Sequence, residues 1–296
     1  MTDSKIRGVV PILVTPFDEN GTIDEASLKN LIDFNIEAGV HGLGVALGSE
    51  IFKFNEAERD FLARAVVKHV AGRVPVIVNT GASGTDLALQ YSRAAEAAGA
   101  DALMVIPPFY MPTTAAEIAD YYRVIDRGVG IPIILQDVPQ APVPPGLAVR
   151  LAEECRNIKY IKVETLPITT KVADMSAAAG KVLTIFGGAG GSYFIEEMRR
   201  GAQGTMPFCS QPAAFVETWN RFQAGDETGA RKVFDATIMA VNRLGSQGGD
   251  VFYHVHKQLL VKLGVIRHAH VRSPTITVDP VTQREIDELL EQLTAA

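Results

Sequence analysis

Lys162 and Glu164 stand two residues apart in the run Lys159-Tyr160-Ile161-Lys162-Val163-Glu164-Thr165. Side chains alternate along an extended strand, so Tyr160, Lys162 and Glu164 share one face and Ile161 and Val163 the other. A lysine on a buried strand face is costly unless its charge is suppressed or paired. Two roles answer that cost. Lys162 is a nucleophile that forms a Schiff base with a carbonyl substrate, or it is the ion-pair partner of Glu164 or another carboxylate. The first role has a magnitude. A lysine at the reference pKa of ~10.4 is roughly 0.04% neutral at pH 7. Lowered to ~7.5 by burial, about a quarter of it is neutral. The disfavoured ammonium then costs about 4 kcal/mol.

Other residues invite chemistry less strongly. In Ala46-Leu47-Gly48-Ser49-Glu50, Gly48 lets backbone approach a ligand, and the amides of Gly48 and Ser49 suit a carboxylate. An ordinary strand-to-helix turn has the same composition. The run Gly187-Gly188-Ala189-Gly190-Gly191-Ser192 suggests a nucleotide loop, but Tyr193 occupies the last position of G-x-G-x-x-G. No acidic ribose partner follows about 20 residues on. A small oxyanion or sugar hydroxyl beside Gly188 suits the run better. The pairs His254/His256 and His268/His270 lack a third ligand, and positions i and i+2 of a helix do not face each other, so no metal is expected. Cys155 and Cys209 read as buried thiols. Phe109-Tyr110-Met111-Pro112 reads as loop packing, with Tyr110 a weaker candidate for the substrate.

The elements that must position these residues follow one pattern. Short apolar runs rich in Val and Ile, at 8–14, 42–47, 75–79, 102–106, 132–136, 160–163, 182–186 and 204–208, alternate with amphipathic stretches. Continuous apolar strands are those of a parallel sheet covered by helices. Asn55, with acidic Glu56 and Glu58 behind it, predicts a helix start, as do Thr85 and Thr114, and Gly39 and Gly99 predict stops. Eight such units over residues 1–225 predict a (β/α)8 TIM barrel, with an open doubly wound sheet as the alternative. Lys162 then lies near the C-terminal end of the sixth strand, at the barrel mouth. Residues 226–296 read as an all-helical extension, with helices at 226–244, 251–263 and 280–293.

Composition narrows the function classes. Of the 296 residues, 47% are hydrophobic and 21% charged, the balance of a globular protein that needs no disulfides or metal to fold. A net charge of −6 without a basic cluster argues against nucleic-acid or lipid binding driven by bulk charge. Met1-Thr2-Asp3-Ser4-Lys5 begins neither a signal peptide nor a membrane span, and a cytoplasmic setting is expected.

Landmarks along the whole chain resemble the dihydrodipicolinate synthase / N-acetylneuraminate lyase superfamily. They are Val14-Thr15-Pro16-Phe17, residues 39–50, Gly72-Arg73-Val74-Pro75-Val76-Ile77, Ala98-Gly99-Ala100-Asp101, Pro107-Pro108-Phe109-Tyr110, Ile131-Pro132, Val138-Pro139 and Ile161-Lys162. The resemblance implies a barrel with a C-terminal helical domain, usually a homotetramer. It implies a class I lyase that binds a small-molecule 2-oxo acid as an imine on Lys162 and needs no cofactor. Departures are informative. Gln136 in Leu135-Gln136-Asp137-Val138-Pro139 stands where the superfamily carries a tyrosine, and Gln140-Ala141-Pro142 lacks the synthase arginine. Ser49-Glu50, Gln136-Asp137 and Lys162-Val163-Glu164-Thr165 are similar to the branch that dehydrates 2-keto-3-deoxy sugar acids such as L-2-keto-3-deoxyarabonate. On this reading Lys162, Glu164 and Gln136 are catalytic, Glu164 replaces the missing proton relay, and Gly48, Ser49, Tyr110, Thr165 and Gly188 bind substrate. A pyruvate-dependent aldolase or synthase is the alternative within the superfamily. A non-catalytic barrel that senses a 2-oxo acid is the alternative of another class.

Overall fold

Eight short strands run parallel around one ring: β1 (Gly8–Val9), β2 (Leu43–Val45), β3 (Val76–Asn79), β4 (Ala102–Val105), β5 (Ile133–Asp137), β6 (Ile158–Val163), β7 (Thr184–Gly187) and β8 (Gly204–Thr205). Their order is β1-β8-β7-β6-β5-β4-β3-β2. The ring closes where Leu13 donates its amide to the Gly44 carbonyl and Gly44 donates to that of Pro11. This computed structural model describes residues 6–294, so the reading of Met1-Thr2-Asp3-Ser4-Lys5 lies outside it. Helices alternate with the strands, and the fold is the expected (β/α)8 barrel followed by helices.

β1 and β8 are shorter than the apolar runs that announce them. Pro11 and Pro207 lack the amide hydrogen a ladder needs. The pairing continues past them as single bridges from Ile12 to Gly44 and Phe208. On β6 the alternation holds in space: Tyr160 packs inside the barrel with Ile134, Met104 and Phe186. Ile161 and Val163 pack outside, in the layer between strands and helices. The helix Glu56–Val70 starts with the expected cap, Asn55 accepting from the Glu58 amide at 2.9 Å while Glu58 accepts from the Asn55 amide at 3.1 Å. Thr114 caps the helix Ala115–Gly128 in the same reciprocal way. Thr85 is the first helical residue of Thr85–Ala97, with Gly84 at the cap. Gly39 and Gly99 follow helix ends at φ of 84° and 93°, the left-handed region that glycine enters without strain.

After the barrel, the helix Glu227–Val233 passes through a π-helical turn, Phe234–Ile238, into Met239–Gly245. The helices Val251–Lys262 and Pro280–Thr294 follow. They share a core of Val241, Leu244, Val255, Leu259, Ile286 and Leu290. Among the described residues no helix is long and apolar enough to cross a membrane.

Candidate active site

β6 carries Lys162 to a cavity of about 450 Å³ at the barrel mouth, in register with Gln136 of β5 and Phe186 of β7. Lys162 is 6% exposed, and its Nζ lies 3.1 Å from Glu164 Oε1. The same oxygen accepts the Ala189 amide at 2.9 Å. Asn79, at the end of β3, donates Nδ2 to Gln136 Oε1 at 2.7 Å. That bond turns the Gln136 amide nitrogen toward Glu164, 3.5 Å from Oε2. Of the two roles drawn from the strand pattern, the ion pair is the one the structure contains. Lys162 is ion-paired with Glu164, and the pair opens on a cavity that also reaches Gln136 and Gly48. A buried pair of this kind contributes little net stability, because desolvation offsets attraction. Its placement in a cleft fits chemistry better than scaffolding.

The turn after β2 differs from its expected role at one residue. Gly48 lines the cavity; a Cβ there would lie 3.0 Å from Ile12 Cγ2 and 3.1 Å from Phe208 Cε1, so only glycine fits without movement. Ser49 is 1% exposed and turned away. Its hydroxyl donates to the Leu13 carbonyl and accepts the Ala46 amide, and its own amide donates to Ala46 O at 2.8 Å. The Glu50 amide likewise donates to Leu47 O. Among the described residues the amides of Leu47 and Gly48 have no acceptor, as expected at the start of a 3-10 turn. The donors that face the cavity are therefore shifted one residue upstream of the expected Gly48/Ser49 pair.

Three further expected residues stand off the cavity wall. Thr165 donates its hydroxyl to Asp137 Oδ1 at 2.8 Å. Asp137 is fully buried on the outer face of β5, pairs with Lys171 at 2.5 Å and also accepts the amides of Val143, Glu164 and Thr165. It fixes the chain just past Lys162. Tyr110 is 82% exposed and faces outward with Phe109 and Met111. Gly188 lies behind Glu164: a Cβ there would meet Glu164 Cγ at 2.3 Å. Its missing side chain makes room for the carboxylate.

Sequence reasoning passed over Glu197. It is fully buried, and among the described residues neither carboxyl oxygen has a hydrogen-bond partner of good geometry. It packs on the outer face of β7, where a Cβ on Gly187 would lie 1.7 Å from its Oε2. Burial first, and then the negative charge of Glu164, push its pKa up to about 8, so the group is neutral at pH 7. The Gly187-Gly188 pair thus separates two carboxyl groups, one ion-paired and one protonated. Burial also raises the thiols of Cys155 and Cys209, to about 11 and about 12.

The C-terminal helices reach the same turn. Tyr253 donates its hydroxyl to Leu47 O at 2.6 Å. Lys257, itself fully buried, pairs with the fully buried Glu50. Lys53 joins Glu50 at 3.2 Å, and the Arg272 amide donates to it. The loop after β2 is held from beyond the barrel.

The sequence pattern of the dihydrodipicolinate synthetase family matches residues 5–293. The chain belongs to that family. Its members among the relatives are lyases. L-2-keto-3-deoxyarabonate dehydratase of Azospirillum brasilense is 30% identical over 295 residues, covering 97% of this chain and 94% of that protein. A probable 2-dehydro-3-deoxy-D-pentonate aldolase, YjhH of Escherichia coli K12, is 36% identical over 162 residues, 53% of this chain and 54% of that one. YagE, an E. coli K12 prophage protein of the dihydrodipicolinic acid synthase family solved in complex with pyruvate, superposes with a TM-score of 0.90 at 26% identity, covering 98% and 99% of the two chains. The dihydrodipicolinate synthetase family assignment accounts for the barrel with its C-terminal helices. It leaves the substrate to the chemistry of the cavity.

Proposed function

We propose that this chain dehydrates a 2-keto-3-deoxy sugar acid through a Schiff base on Lys162. The observation that carries the reading is the Lys162–Glu164 pair at 3.1 Å, opening on the cavity beside Gln136. Lys162 in its neutral form, its proton given up to solvent, attacks the C2 carbonyl. The water lost in forming the imine returns on its hydrolysis. The imine withdraws electrons, so the Glu164 carboxylate takes a proton from C3 and an enamine forms. The enamine expels the C4 hydroxyl, which departs as water once Glu164 supplies a proton. The net change is loss of one water. Gln136 cannot exchange protons, but its amide, held by Asn79, orients Glu164 or the substrate. The free amides of Leu47 and Gly48 suit the substrate carboxylate. This chemistry calls on no cofactor. Homotetrameric assembly belongs to the same reading, supported by the exposed apolar Phe109, Tyr110 and Met111.

The test is trapping with borohydride. Incubation with a 2-keto-3-deoxypentonate should add a ligand-sized mass at Lys162 and yield a product one water lighter than the substrate. Glu164→Gln should keep the adduct and cut kcat by ~10²–10⁴. Activity without an adduct at Lys162 would overturn the lysine mechanism. Release of pyruvate would assign the chain to aldol cleavage, the activity in the YjhH relative's name. An adduct without turnover would leave a 2-oxo-acid sensor.

A further inference from the structure

Beyond Lys162 the cavity runs on to the C-terminal helices, where Asn242, Ser246, Tyr253 and His256 form its far wall. A three-carbon 2-oxo acid held at the lysine leaves that wall to whatever the substrate carries further along. Three of the four have their hydrogen committed or their ring packed. Tyr253 donates to Leu47 O, and Ser246 donates to Asn242 O at 2.7 Å. His256 Nδ1 bonds Ser210 at 2.7 Å, while its ring lies on Phe208 with centroids 4.4 Å apart.

Asn242 differs. It is 6% exposed, and its Nδ2 donates both to Gly190 O at 2.9 Å and to Ser192 Oγ at 3.0 Å. A carbonyl only accepts, so the NH2 must face Gly190 and the amide oxygen must face the other way. Among the described residues no protein donor reaches Oδ1. Both of its donors hold the loop after β7, and its acceptor is open. The helix is built to present it. The π-helical turn Phe234–Ile238 inserts one residue upstream, which rotates everything after it by about 100° relative to an unbroken α-helix. Without that turn Asn242 would leave the loop and the cavity.

An open acceptor in a half-dry wall selects a donor. A hydroxyl supplies one; a methyl group or a second carboxylate does not. We propose that Asn242 is a specificity-determining residue whose Oδ1 accepts a hydrogen bond from the terminal hydroxyl of the substrate's tail. The inference rests on the reading that the substrate is a 2-keto-3-deoxy sugar acid, and it names the group by which such an acid is told from plain 2-oxo acids.

The experiment compares a 2-keto-3-deoxypentonate with its 5-deoxy analogue on the wild type and on Asn242→Leu. Affinity is read by borohydride trapping at subsaturating concentration and by calorimetric titration. Pyruvate is the control, because it has no tail. The wild type should prefer the hydroxylated acid by about tenfold, the worth of one neutral hydrogen bond. Asn242→Leu should lose that preference and lower trapping of the pentonate more than trapping of pyruvate. Asn242→Ala, which is smaller, should do the same and guards against a misfolded leucine variant. A preference that survives in both variants overturns the proposal. So does a fall in pyruvate trapping as large as the fall for the pentonate, because Asn242 then only supports the loop. The mass of the wild-type product separates this from the dehydration reading: an intact adduct with no water lost refutes dehydration and leaves the preference to decide Asn242.

Discussion

Gly188→Ala adds one methyl group, and the structure says where it goes. The new Cβ would stand 2.3 Å from Glu164 Cγ and 2.6 Å from both Cδ and Oε1. Carbon atoms rest at about 3.5–4.0 Å, so one side must yield by about 1.2 Å or more. The Gly188 φ of −146° lies outside the left-handed region, and the clash with Glu164 is the effect the substitution tests. Glu164 is the side that can move, and it is anchored by contacts of 3.1 Å to Lys162 and 2.9 Å to the Ala189 amide. A shift of this size breaks both. A misplacement of ~1 Å at a reacting group costs about 10² in rate, and overpacking costs about 1–3 kcal/mol of stability. The assay is kcat for loss of water, with pyruvate trapping at Lys162 and Tm measured in parallel. The expected result is kcat down ~10², pyruvate trapping retained and a modest drop in Tm. Gly187→Ala is the comparator: its Cβ meets Glu197 on the outer face, 1.7 Å from Oε2, and should lower Tm more than it lowers kcat. A folded Gly188→Ala enzyme with kcat within about threefold of wild type would refute the role given to Glu164 where it sits.

Two further outcomes follow from the same wall and turn. Ser49→Ala removes the bond to Leu13 O and leaves the Ala46 amide without an acceptor; it should raise KM by moving the Gly48 turn and lower stability by ~1–3 kcal/mol, read as Tm, and a KM rise with Tm unchanged would return Ser49 to the cavity. Glu197 carries a folded pKa of about 8 against an ordinary value of 4.5, so between those values the folded chain holds a proton that the unfolded chain has released. Stability from this group is full below pH ~4.5 and declines as pH rises toward 8. Glu197→Gln should flatten that decline in Tm between pH 5 and 8; equal slopes in the two proteins would show Glu197 to be ionised and compensated.

What the chain discloses by itself depends on how local the cause is. The Tyr160/Lys162/Glu164 face was legible because alternation is a property of five neighbouring residues. So were the caps at Asn55 and Thr114, whose partners lie three residues on. Ser49 and Thr165 read from sequence as cavity residues because the partners that turn them away are remote: Leu13 lies 36 residues from the first and Asp137 28 from the second. Gln136 stands out only against the superfamily's tyrosine, not by its own pattern. Glu197 has no local sequence mark of burial, yet it is buried, and the glycine that accommodates it comes from another element. Asn242 could not be placed by helical periodicity, because the π-helical turn before it shifts the phase.

The union of Glu50 with Lys257 and of Leu47 with Tyr253 has a consequence for the order of events during synthesis. The two partners of the ion pair are 207 residues apart. At about 5–20 residues per second, a ribosome needs ~10–40 s to travel that far. Through that interval β3 to β8 join β1 and β2 and the barrel can close, while the turn beneath the proposed carboxylate seat still lacks Tyr253, Lys257 and the Arg272 amide. Glu50, buried in the finished protein, has Lys53 alone as its cation until then. The scaffold is therefore made first and its binding turn is clamped last, so a nascent barrel released early would carry Lys162 in place without the loop that seats its substrate.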